Sequence, residues 1–135
     1  IRRPPRSTLS PYTTLFRSGK EEMSETYQHI LLAYSGDSMP LDGKYIQNAE
    51  VLLHDATFLE TEDRDEDTHA TVDEAIQTAQ LANVSVLGLF HISARYKYQQ
   101  VLEKIQTSIK NHHVSFPVFY IFSNLNRISF KQANG

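Results

Sequence analysis

The segment Tyr34-Ser35-Gly36-Asp37-Ser38 follows the apolar run Ile30-Leu31-Leu32-Ala33 and opens a pattern that recurs twice. Val51-Leu52-Leu53 leads into His54-Asp55-Ala56-Thr57-Phe58, and the run 84–90 leads into His91-Ile92-Ser93-Ala94-Arg95-Tyr96. Each run is short, continuous and bounded by turn residues, which reads as a strand buried in a sheet rather than as a helix. An acid or a histidine therefore stands at the end of each of three strands. In open α/β sheets that end is where the ligand crevice lies.

The elements around these strands follow from their periodicity. Residues 27–34 form the first strand and 50–53 the second, and their continuous apolar character predicts burial on both faces. Residues 42–48 suit a short helical turn. The run 60–67 carries six acids and one base and is expected to be a solvated loop. Thr71-Val72-Asp73-Glu74 is a capping box, with the threonine hydroxyl and the glutamate serving free backbone N–H groups. It opens a helix whose apolar stripe is Val72, Ala75, Ile76 and Ala79, ended at Asn83. Residues 84–90 form the third strand. A second helix over 97–111 directs Tyr98, Val101, Leu102, Ile105 and Ile109 inward. Residues 116–122 and 127–130, joined by Ser123-Asn124-Leu125-Asn126, predict a closing hairpin. Strands alternating with amphipathic helices indicate an α/β layered architecture.

Bulk properties narrow the chemistry. A chain of 135 residues allows one domain. It has no cysteine, so disulfide scaffolds and thiolate metal sites are excluded, and any metal must take His and carboxylate ligands. No apolar run approaches the roughly 18 residues needed to span a bilayer, and no signal-peptide core is present, so the default location is cytoplasmic. Residues 1–18 hold four arginines, three prolines and no acid, and resemble the translation of a sequencing adapter. They are expected to be non-native and without fixed structure, and the native chain is expected to continue upstream. Without them nine bases face sixteen acids. A net acidic domain does not carry the basic footprint of an RNA binder.

Taken alone, each candidate residue has two readings. Asp37 in Gly-Asp-Ser is either a turn aspartate or a metal ligand. His91 is a structural strand-end histidine or a ligand whose second ring nitrogen needs an orienting partner. His54-Asp55 is a polar pair at a strand end or part of the site. His69, in His69-Ala70-Thr71, is a solvated residue before the cap or a general acid. Arg95 is a surface arginine or a planar fork for phosphate. Asp63, Asp65, Asp67 and Glu74 have the spacing of a calcium loop, but Thr68 stands where that loop's sharp turn calls for glycine.

The ordered set resembles the C-terminal half of the metallo-β-lactamase fold, an αββα sandwich, and within it most resembles ribonuclease Z, the endonuclease that trims tRNA precursor 3′ ends. His91-Ile92-Ser93-Ala94-Arg95-Tyr96 is similar to the family's His-Phe-Ser-x-Arg-Tyr. His54-Asp55-Ala56-Thr57 is similar to its His-Glu-Ala-Thr, with Asp55 one methylene shorter. His69-Ala70-Thr71 is similar to its His-Ser-Thr. The family's upstream His-x-His-x-Asp-His is absent, so the resemblance covers half of an active site and residues 19–135 read as half of a domain.

The resemblance implies a phosphodiesterase that uses a hydroxide held by two divalent ions, Zn²⁺ or Mn²⁺. Asp37 and His91 would be metal ligands, and His69 the proton donor oriented by Asp55. Ser93 and Arg95 would contact substrate, with His54 and Thr71 supporting the site. It also implies a tRNA precursor as substrate and a homodimer. The alternatives are another hydrolase of this fold acting on small or cyclic phosphodiesters, and a non-catalytic copy. The chain by itself is expected to be inactive and poorly stable.

Overall fold

The computed structural model describes residues 26–124 and 126–130, so the basic segment 1–18 lies outside the described residues. Among the described residues five strands form one sheet in the order β1 (Leu32–Tyr34), β2 (Val51–Asp55), β3 (Val86–Phe90), β4 (Val118–Ile121) and β5 (Arg127–Phe130). The first four are parallel, and β5 returns antiparallel to β4 as the expected hairpin. Helix α1 (Val72–Leu81) links β2 to β3, and α2 (Tyr98–Asn111) links β3 to β4. Crossovers of one hand stepping the same way across a sheet put their helices on the same face. The two helices do pack against each other.

That face holds the core. Leu52, Leu87 and Leu89 from the sheet meet Val72, Ile76, Ile105 and Ile109 from the helices, all essentially without solvent exposure. The capping box at Thr71 forms as read, with Thr71 Oγ1 accepting from Glu74 N and Glu74 Oε2 accepting from Thr71 N. Both helices end without glycine. Asn83 and His113 take φ of 53° and 52°, and Val84 and Val114 donate back to Ala79 and Ile109. This is the Schellman arrangement, built here on residues that bear some left-handed cost.

Three expectations are corrected. The first strands are not buried on both faces: Leu32 and Tyr34 are 57% and 64% exposed, and only Ala33 between them is buried. Both helices cover the same side, so the opposite side, with the register-paired row Leu32, Val51 and Val86, lies open. Tyr98 does not point into the core. It occupies the first position of α2, is 53% exposed and stacks on Phe122 at 5.8 Å. The acidic run is not wholly solvated either. Arg64 is tucked beneath it in an ion pair with Glu74, and Asp63 accepts from the Tyr96 hydroxyl at 2.7 Å. Asp65, another residue at calcium-loop spacing, pairs with Arg95.

Candidate metal and catalytic site

Because β1 to β3 are parallel, their C-terminal ends share one edge of the sheet. β1 delivers Ser35-Gly36-Asp37-Ser38 there, with Gly36 at φ 62° turning the chain. β2 delivers Asp55 and Thr57, and β3 delivers His91. The N-terminus of α1 lies at the same edge. The bonds from Phe58 N to Ala70 O and from Val72 N to Phe58 O close the base of the loop between β2 and α1, which sets His69 beside Asp55. His91 has φ 65°, a left-handed conformation uncommon for a side-chain-bearing residue. Its cost is on the order of 1–2 kcal/mol, and such strain concentrates at functional sites.

Asp55 is the hub. Its side chain is fully buried, and its carboxylate accepts four hydrogen bonds. Oδ1 takes Thr57 N at 2.8 Å and Thr57 Oγ1 at 2.7 Å. Oδ2 takes Ser38 N at 3.0 Å and His69 Nδ1 at 2.6 Å. A buried carboxylate is tolerable only when its lone pairs are met in this way. Asp55 N donates in turn to Ser35 Oγ, tying the first two strand ends together.

The two histidines face each other with ring centroids 5.1 Å apart. One donor atom each from Asp55, His69 and His91 lies within 4.8 Å of the others. Asp37 lies beside the group, its Oδ1 3.6 Å from His91 Nδ1. Asp37 is 59% exposed at its side chain, and no hydrogen bond to its carboxylate is formed among the described residues. An all-nitrogen-and-oxygen set of this kind suits Zn²⁺ or Mn²⁺.

His54 is fully buried on the helix side of the sheet and makes no contact with His69 or His91. Its Nε2 accepts from Leu41 N at 3.2 Å, so its Nδ1 carries the proton and donates to Asp55 O at 2.8 Å. Burial holds its pKa below the ordinary imidazole value, against the raising effect of the Asp55 carbonyl. Thr71 acts through its cap on α1 rather than by reaching the cluster. Ser93 N donates to Thr57 O, and Ser93 lines an open cleft of about 610 Å³ that also touches Asp37 and His91. Aromatic side chains of Tyr34, Phe90, Tyr120 and Phe122 form much of that cleft. Arg95 turns elsewhere. Its guanidinium bonds Asp65 and the Asp63 carbonyl and lies over the Phe58 ring, and the bond to Asp65 raises its pKa.

The structure thus brings together Asp37, Asp55, His69 and His91, and leaves His54, Thr71 and Arg95 at one remove. Sequence reasoning missed Thr57, which bonds both Asp55 and His91, and missed the backbone N–H of Ser38. Thr57 stood in plain view as the last residue of His54-Asp55-Ala56-Thr57, the only signal for it.

No family model matches the chain. Among curated proteins it is similar to ribonuclease Z of Methanocaldococcus jannaschii, with 40% identity over 93 residues, 64% of this chain and 29% of that protein. It is similar to the ribonuclease Z of Thermococcus gammatolerans at 35% identity, covering 66% of this chain and 29% of that one. For the ribonuclease Z of Thermococcus sibiricus the figures are 35% identity, 59% of this chain and 27% of that one. The chain spans less than a third of the length of each of these relatives. The resemblance read from the motifs therefore stands: the chain is similar to part of these ribonuclease Z sequences, and its mixed α/β sheet is consistent with the metallo-β-lactamase fold they imply.

Proposed function

We propose that the chain is part of the tRNA 3′-processing endonuclease ribonuclease Z, a metal-dependent phosphodiesterase acting on tRNA precursors in the cytoplasm as a homodimer. The observation that carries this reading is the convergence of Asp37, Asp55, His69 and His91 at one sheet edge, in the order of the motifs they came from. Similarity to ribonuclease Z sequences supports it. Among the described residues no helix is long and apolar enough to cross a membrane.

In this reading Asp37 and His91 offer their free carboxylate oxygens and ring nitrogen to divalent ions, with further ligands supplied from outside the described residues. Bound ions supply Lewis acidity at the phosphoryl oxygens and lower the pKa of water. His69 gives its Nδ1–H to Asp55, which fixes the ring and leaves Nε2 to carry a proton toward the leaving oxygen. The shorter acid at position 55 reaches its histidine at 2.6 Å, so it offers no argument for a non-catalytic copy. Ser93 borders the cleft beside His91 and is the nearer candidate for contact with substrate. Arg95 would have to leave Asp65 to meet a phosphate.

A second reading, a hydrolase of small phosphodiesters, is favoured by the acidic balance of the chain and the engagement of Arg95 by the acidic run 60–67. The discriminating experiment uses the complete protein, a tRNA precursor with a 3′ trailer, and bis(p-nitrophenyl) phosphate. Release of the trailer by endonucleolytic cleavage supports ribonuclease Z. Cleavage of the small diester with the precursor left intact moves the assignment to the second reading.

A further inference from the structure

Thr57 has no part in the roles assigned above, yet it is the atom-level link between the two histidines. It is buried, 8% exposed, two residues past the end of β2. Its Oγ1 lies 2.7 Å from Asp55 Oδ1 and 3.0 Å from His91 Nδ1. A carboxylate oxygen only accepts, so the single hydroxyl proton of Thr57 is committed to Asp55. The contact with His91 then requires the ring to donate. Nδ1 of His91 must carry the proton, and Nε2 is left with its lone pair. Among the described residues Nε2 of His91 has no hydrogen-bond partner.

We propose that Thr57 is a positioning residue that fixes the tautomer of His91, holding Nδ1 protonated so that Nε2 is presented as a ligand. The same hydroxyl couples His91 to Asp55, and through Asp55 Oδ2 to His69 Nδ1. The path His91 Nδ1–H to Thr57 O–H to the Asp55 carboxylate, and from there to His69 Nδ1–H, sets both rings with Nδ1–H inward and Nε2 uncommitted. A free neutral imidazole prefers the other tautomer, with the proton on Nε2, so holding the ring this way needs an acceptor at Nδ1. Thr57 is that acceptor, and it can accept only because Asp55 has taken its proton. Metal-binding histidines ordinarily pass their second N–H to a carboxylate or carbonyl directly. Here a threonine is interposed, and the carboxylate is shared with a second histidine.

The functional meaning of this arrangement rests on the metal-dependent reading above, but the arrangement can be tested without activity. The experiment is a long-range ¹⁵N–¹H correlation spectrum of the imidazole rings at about pH 8.5, two units above the ordinary histidine value. It uses the chain as it exists, with Thr57→Val and Thr57→Ser beside it. Valine keeps the shape and the backbone N–H but removes the hydroxyl, while serine keeps the hydroxyl. The expected result is Nδ1–H for His91 in the parent chain and in T57S, and loss of that pattern to Nε2–H in T57V. An Nε2–H tautomer in the parent overturns the proposal, as does a T57V spectrum in which His91 is unchanged. If T57V does not fold, Thr57→Ala is read by the same criterion. A complete protein that leaves tRNA precursors uncut while His91 responds as expected defeats the nuclease reading and leaves the role of Thr57 intact.

Discussion

Asp55 Oδ2 lies 2.6 Å from His69 Nδ1, a contact between a fully buried carboxylate on β2 and a partly exposed ring fourteen residues later. The pair resembles the orienting acid and histidine of many hydrolases in what it can do. The acid selects one tautomer and one ring orientation, and the far nitrogen is left for proton transfer.

Substituting either partner in the complete protein is expected to lower kcat by about 10²- to 10⁴-fold with little change in KM, the range ordinarily supplied by a positioned proton donor. The double change D55N/H69A should cost no more than the worse single change, because the two act as one unit. Single-turnover cleavage of a tRNA precursor by the four proteins measures this. Additive losses would show that the two residues act independently.

Divalent metal binding is expected to centre on His91. Titration of the chain with Mn²⁺ should broaden amide signals around Asp37, Asp55, His69 and His91 before those at the far end of the sheet, and His91→Ala should abolish the selectivity. Removal of the ion with EDTA should restore the signals. Broadening that is uniform, or that follows the acidic run 60–67 instead, would place the ion elsewhere.

The buried His54 should make stability depend on pH. Burial holds its folded pKa below the unfolded value of 6.5, so the unfolded chain binds the proton more readily. Above pH 6.5 both states are neutral at this residue and no penalty arises. As pH falls from 6.5 toward the lower folded value the native state loses up to about 1.4 kcal/mol per pH unit. Urea unfolding of the parent chain and of His54→Gln at pH 7.5, 6.5 and 5.5 isolates the effect. The variant, which keeps an acceptor for Leu41 N but cannot titrate, should start less stable and show a flatter decline. Parallel curves would acquit His54.

The open face of the sheet should make the chain self-associate. Leu31 and Leu32 are 63% and 57% exposed there or beside it, and the register-paired Val51 and Val86 extend the apolar surface. Contiguous apolar patches of this kind are rare on monomers. Sedimentation velocity should give concentration-dependent species and bound hydrophobic dye, both reduced by Leu32→Lys. A single monomeric boundary at high concentration without dye binding would contradict this.

The sequence by itself determined the element order, the capping box at Thr71, the apolar stripe of α1 and the closing hairpin, because these depend on neighbours a few residues apart. Its short motifs also named the four residues that converge. Tertiary structure decided the rest. Which face of β1 would be covered depends on both crossovers placing α1 and α2 on one side, which no local pattern encodes. The exposure of Tyr98 follows from its place at the very start of α2 and its stacking partner across the fold. The burial of Arg64 beneath an acidic run depends on Glu74 in the next helix. The pairing of His91 with Thr57 joins residues 34 positions apart. Hydrogen bonds of this reach are set by strand register and parallel alignment, and those exist only once the chain has folded.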